Sequence, residues 1–193
     1  KVANGSVTYP KDTAWRITGW GISQRLADVA GVSTDAKPFR DNDGFDLSAR
    51  IKADLGWADL TSITAYQTFS RKEYNDWDGT RFQESDVYFY NDINVFAQEL
   101  RLSSTSDGPL QWMIGAHYAN ESIDGGFYTE FRGSTPPDFL SSLINTAYDQ
   151  GVKAFGIFTH NSYQVNERLN LIAGLRWETE TRSLTSFGTV VAP

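Results

Sequence analysis

The chain of 193 residues is long enough to enclose one domain-sized core, but it has no cysteine, so a disulfide framework, a thiol nucleophile and a Cys-based metal site are all excluded. A formal net charge of −7 argues against nucleic acid as a partner, because phosphate binding needs clustered Lys and Arg. No run of about 18 apolar residues occurs, which excludes a spanning helix; spanning strands alternate their faces and give only a weak hydropathy signal.

In chain order, Lys1 to Pro10 is polar, with no apolar stretch of the kind found in a secretory leader. Residues 1–43 stay unassigned, as loop and a possible first strand; within them Gln24 to Ala30 suits a single helical turn. Period-two alternation then begins. Phe45, Leu47, Ala49, Ile51, Ala53 and Leu55 alternate with Asp46, Ser48, Arg50, Lys52 and Asp54, as in an extended strand with one apolar and one polar face. Gly56-Trp57 is a tight connection to Ala58–Asn75, which is rich in Thr and aromatics but has no clear face assignment. A long polar and aromatic connection is expected from Asp76 to Ile93.

From Asn94 to Ser103, Phe96, Leu100 and Leu102 oppose Ala97, Glu99, Arg101 and Ser103. Thr105 to Pro109 is a short turn. From Leu110 to Glu121, Leu110, Trp112, Ile114, Ala116 and Tyr118 oppose Gln111, Met113, Gly115, His117 and Glu121. A second long connection is expected from Gly125 to Gly151. In Ala154 to Val165, Phe155, Ile157, Tyr163 and Val165 oppose Gly156, His160, Ser162 and Gln164, with Phe158 out of pattern. Asn166 to Arg168 is a third short turn. It leads to Leu169–Glu180, where Leu169, Leu171, Ala173, Leu175 and Trp177 oppose Asn170, Ile172, Gly174, Arg176, Glu178 and Glu180. Residues 185–193 read as the start of the next loop.

Connections that run short, long, short, long, short describe a meander with tight turns at one membrane face and long loops at the other, as in outer-membrane barrels. Strands of about 11 to 18 residues exceed the 5–6 usual in soluble sandwiches and suffice for tilted spanning strands. Trp57, Trp112 and Tyr163 lie at or near short turns, with Tyr118 and Trp177 further along, as expected of aromatic girdles. The fold predicted is all-β, a transmembrane antiparallel β-barrel, with the barrel strands in residues 44–184.

Three stretches resemble TonB-dependent receptors: "LTSITAYQTFSRKEYNDWDGT" (Leu60 to Thr80), "FAQELRLSS" (Phe96 to Ser104) and "VNERLNLIAGLRWETE" (Val165 to Glu180). They occur in that family's order. The resemblance implies a barrel of roughly 22 strands plugged by an N-terminal globular domain. It implies energy-coupled uptake of a scarce nutrient such as a siderophore, cobalamin or a sugar across the bacterial outer membrane. The partners implied are outer-membrane lipid, the small-molecule substrate, and an inner-membrane TonB complex reached through the plug. No plug, no energy-coupling box near Lys1 and no terminal aromatic at Pro193 can be read here. About six or seven strands cannot close, since bacterial barrels need at least eight, so a longer polypeptide is expected. The alternatives are a passive porin and a secreted glycan-binding sandwich.

No catalytic constellation, phosphate loop or cofactor motif is present, and an enzyme is not expected. Glu99, Arg101, His117, His160, Arg176, Glu178 and Glu180 fall on polar registers and would face the lumen. His117 and His160, the chain's two histidines, are the candidates for a metal pair. In the first long connection, Asp76, Trp77, Asp78, Tyr88 and Tyr90 are candidate ligand contacts, because binding residues concentrate on loops held by rigid scaffolds.

Overall fold

The computed structural model describes residues 2–3, 6–7, 22–77, 85–131 and 142–192. Two short strands, β1 (Val2–Ala3) and β2 (Ser6–Val7), pair with each other. After them come helix α1 (Gln24–Ala30) and six long strands: β3 (Phe39–Asp54), β4 (Ala58–Asp76), β5 (Ser85–Ser104), β6 (Leu110–Phe131), β7 (Ser142–Asn166) and β8 (Leu169–Ala192). These six form one antiparallel sheet in the order β3-β4-β5-β6-β7-β8, each strand bonded to its neighbour in sequence. Among the described residues the one other sheet is the two-stranded β1-β2 pair.

The short turns set the registers. At the first, Gly56 adopts φ +85°, a left-handed conformation that side chains disfavour, and the Asp54 carboxylate accepts its N–H at 2.7 Å. At the second, Ser106 Oγ accepts from the Gly108 N–H at 3.0 Å; at the third, Asn166 Oδ1 accepts from the Arg168 N–H at 2.9 Å. Directly opposed residues of antiparallel strands share a face. Rows such as Leu60–Leu102–Ile114–Thr159–Leu175 and Leu100–Ala116–Ile157–Trp177 therefore bring the apolar sets of neighbouring strands onto one side. Leu47, Ile51, Ile114, Leu175 and Trp177 on that side are each more than half exposed. A contiguous apolar surface of this kind is a hazard in water and the normal wall of a protein solvated by lipid.

Aromatic residues bound this band. Trp57 and Trp112 pack at 6.3 Å beside the short turns. Phe96–Tyr118 and Phe155–Trp177 pack at 6.5 and 6.4 Å, roughly eight residues further along, or about 19 Å up for strands tilted by about 45°.

Strands run well beyond the band, and here the structure differs from the sequence expectation. The connections expected over 76–93 and 125–151 are largely strand: β4 ends at Asp76, β5 starts at Ser85, β6 continues to Phe131 and β7 starts at Ser142. Likewise β8 reaches Ala192 where a loop was expected from residue 185, and β3 begins at Phe39 inside the unassigned segment. Beyond the apolar band the same register carries Ser70, Asp92, Asp124 and tyrosines in place of aliphatic side chains, so the hydrophobic contrast disappears while the backbone ladder continues. Gly126 allows one close approach there: a Cβ would strike the Thr146 carbonyl and the Tyr90 hydroxyl, which reaches Asn145 Oδ1 at 3.2 Å.

The buried apolar core lies at this upper end, on the same side as the apolar band but above it. Ile22, Leu26 and Ala27 of the α1 segment pack on Tyr74, Tyr88 and Leu143. At seven residues α1 is too short to be stable alone. Packing holds it, together with Ser23, whose Oγ caps Leu26 N–H at 3.1 Å and whose hydroxyl also bonds buried Glu130, and with Arg25, 2.9 Å from the same carboxylate.

Candidate functional site

The face opposite the apolar band carries the charged residues that the alternation singled out. Near the short turns a cross-strand row runs Ile63–Glu99–His117–Gly156–Glu178, and the row beneath runs Thr61–Arg101–Gly115–Phe158–Arg176. Two glycines make room for rings here. A Cβ at Gly156 would collide with the His117 imidazole, and one at Gly115 with the Phe158 ring, so both rings lie flat on the neighbouring strand. This is the reason Phe158 breaks the apolar alternation: its ring covers a glycine. His117 Nε2 lies 3.6 Å from the Glu178 carboxylate and 3.4 Å from Arg176 Nη2.

Several of the charges on this face are paired within their own strand. Arg176 holds Glu178 at 2.7 Å, Arg182 holds Glu180 at 2.5 Å, and Arg101 pairs with Glu99 as an ion pair without a directed hydrogen bond. Residues i and i+2 of a strand share a face, so such pairs form without help from a neighbour.

The two histidines do not meet. His117 is opposite Gly156 and His160 is opposite Met113, four residues apart along β7, or about 13 Å. No group of three His, Asp or Glu that could hold a metal occurs among the described residues. Sequence spacing alone placed both histidines above a short turn; the register separates them.

At the upper end the candidates drawn from the first long connection divide. Asp78 lies outside the described residues. Asp76 stands opposite Asp86, on the side of the apolar band. Tyr88 and Tyr90 are strand residues on that same side: Tyr88 is buried, Tyr90 half-buried, and Tyr90 packs on Tyr128 at 5.7 Å. Burial, as the largest cause, raises the pKa of both phenols. They belong to the packed cluster under and beside α1 rather than to a loop. Trp77 alone of this set stands on the polar side, 55% exposed and 6.4 Å from the Phe89 ring.

Around Trp77 the structure assembles residues that the sequence reading missed. Phe89 packs on Phe127 at 5.6 Å, and the Arg71 guanidinium sits 5.4 Å from the Phe89 centroid. Arg71 also pairs with Glu73, which accepts from Arg40 at 2.8 and 2.9 Å. The Arg40 hydrogen bonds, more than any other influence, hold the Glu73 carboxyl at about 2; burial opposes them, and Asn75 and Arg71 add to them. The signal was available: Arg71 and Glu73 alternate with Ser70, Lys72 and Tyr74, and Phe89 alternates with Tyr88 and Tyr90. Continuing the strand period through this polar stretch would have separated the two sets.

Charge is sorted by face in this upper section. Asp43, Asp92, Asp124 and Asp149 fall in one row with Ser70 and Thr185, on the side of the apolar band. Asp76, Asp86 and Glu130 make a second row on that side, and Asp41 stands there opposite Lys72. Above the level of Phe69 and Ile93, the opposite face carries one carboxylate among the described residues, Glu73, and two guanidinia hold it.

Against known proteins, the model of the TonB dependent receptor-like, beta-barrel family matches residues 2–192. No curated protein sequence matches the chain. Among solved structures, the ferric yersiniabactin uptake receptor FyuA from Yersinia pestis is similar over 80% of this chain and 23% of its own, at 15% identity and a TM-score of 0.61. The ferric citrate transporter FecA in its unliganded form is similar over 89% of this chain and 27% of its own, at 15% identity and a TM-score of 0.54. The chain thus spans about a quarter of the length of these structures, and at that identity the likeness is one of fold. That family is made of outer-membrane receptors and transporters rather than enzymes. With a two-faced meander whose apolar band is bounded by aromatic girdles, and a family match over nearly its whole length, this chain belongs to the TonB-dependent receptors and forms a section of the wall of their β-barrel.

Proposed function

We propose that this chain belongs to an outer-membrane receptor that takes up a scarce nutrient, such as a siderophore, cobalamin or a sugar, by energy-coupled transport. The observation that carries the reading is the sorting of faces: a lipid-compatible band on one side, and on the other a charged wall with several ion pairs, whose upper end presents rings and guanidinia. In a closed barrel the second face is the lumen, and the Trp77–Phe89–Phe127 cluster would stand toward its outer end. Coupling to an inner-membrane TonB complex would run through a plug domain inside the barrel.

The test is uptake by cells carrying the intact receptor compared with a deletion strain, across labelled ferric complexes, cobalamin and oligosaccharides. Accumulation of one of them should require the receptor and stop when the inner-membrane proton gradient is collapsed. Receptor-dependent entry that continues after collapse would identify a passive porin instead.

A further inference from the structure

We infer that the upper end of the inner wall binds a small anionic ligand that carries a planar unsaturated ring. This deepens the uptake reading and rests on it for a single point, that the ligand meets this face. Three observations support the chemistry. First, although the chain carries a net charge of −7, the register sends all but one of the described carboxylates on the upper strand sections outward. They point away from the inner face, and at physiological salt a Debye length of about 8 Å screens most of their field there. Second, the inward charges of this section among the described residues are Arg40, Arg71 and Glu73, two cations on one anion. With all three ionised, the trio carries one surplus positive charge. Third, the surplus sits on rings. Arg71 lies over Phe89, Phe89 packs on Phe127, and Trp77 stands exposed beside them.

A guanidinium stacked on an aromatic face is rigid, weakly hydrated and forked, which suits a carboxylate or phenolate. The exposed Trp77 ring beside half-buried Phe89 favours a flat unsaturated partner, because offset or tilted ring contacts are more favourable than area burial alone. A neutral sugar would use the rings and leave the charge idle. A cationic ligand would be opposed by Arg40 and Arg71.

The experiment uses the purified intact receptor and three probes of known charge and shape: 2-naphthoate, cyclohexanecarboxylate and a naphthyl-trimethylammonium salt. Saturable binding of 2-naphthoate is expected, with each of the other two at least tenfold weaker. Arg71→Gln and Phe89→Leu should each weaken 2-naphthoate binding by tenfold or more. Lys72→Gln, one residue away on the outer face, should leave it unchanged. Equal or tighter binding of the cationic probe, no loss in Arg71→Gln, or no saturable binding of 2-naphthoate at all would overturn the assignment. Energy-dependent uptake by the same receptor is scored separately with the proton gradient collapsed, so a wrong ligand class and a wrong transport reading give different failures.

Discussion

Ile114 and Met113 are neighbours in sequence, and the register sets them on opposite faces of β6: Ile114 faces with Leu102 and Leu175, Met113 with Ser103 and His160. Ile114 lies roughly 12 Å into an apolar layer about 25 Å tall, so Arg there would sit near the midplane and destabilise the barrel by about 2–4 kcal/mol. Met113→Arg would point into the polar interior, at a smaller cost. Unfolding in lipid bilayers should rank Ile114→Arg well below Met113→Arg; equal effects would mean that the apolar face does not meet lipid. Glu73 gives a residue-scale prediction in pH. Its folded pKa, about 2, lies below the ordinary value of 4.5, so its contribution is fully present above the unfolded value and disappears as pH falls through the folded one. Hydrogen-exchange protection at the upper end of β4, corrected for the intrinsic pH dependence of exchange, should therefore fall between about pH 4.5 and 2 in the native protein. Glu73→Gln should remove that step, whereas a step of the same size in the variant would assign it to other groups.

At the scale of elements, the informative contrast is between the two ends of the strands. The short turns are closed by Asp54, Ser106 and Asn166 capping backbone N–H groups. The far ends extend above the apolar band and carry α1, the tyrosine cluster and the Arg71–Phe89 stack. If those far ends lie outside the cell, a cysteine in place of Trp77 should react on intact cells with an impermeant thiol reagent, while one in place of Glu167 should not. None of these 193 residues is a cysteine, so no native thiol within this section reacts. Reaction at position 167 alone would reverse the orientation. β4 shows why one strand resisted face assignment from sequence. On the lipid side it presents Ser62 and Thr64, and these bond the Gln98 amide of β5 at 3.0 and 2.6 Å. Polar side chains satisfied by each other are tolerated where lone ones would be expensive.

For the whole molecule, the six-stranded sheet has two edges, β3 and β8, each with a row of backbone groups facing away from its one neighbour. Open edges of this length are sites of aggregation in water and untenable in lipid. Further strands are therefore expected to pair with both edges in the native protein, closing the wall. The check is the mass of the receptor as it occurs in outer membranes. A value several times this chain's 21.6 kDa is expected, and a membrane species near 21.6 kDa would refute closure by the same polypeptide.

Local pattern in the chain was enough to locate the strand sections within the apolar band, the short turns between them, and the faces over Phe45–Leu55, Leu110–Glu121 and Leu169–Glu180. Period two and turn chemistry are written within ten or so residues and are independent of neighbouring segments. The motif resemblance added the family, which the match over residues 2–192 then established. What stayed open is whatever depends on register between strands. His117 and His160 looked alike along the chain and were separated only by which residues of β6 and β7 stand opposite one another. Tyr88, Phe89 and Tyr90 are consecutive, yet two line the α1 cluster and one the inner wall. The strand ends above the membrane lost their hydrophobic contrast, so only the backbone ladder could show that they continue. The pairing of Arg40 with Glu73, 33 residues apart, belongs to the same class. It had to wait for the folded sheet because a cross-strand contact is set by hydrogen-bond register, and that is a relation between segments rather than a property of either one.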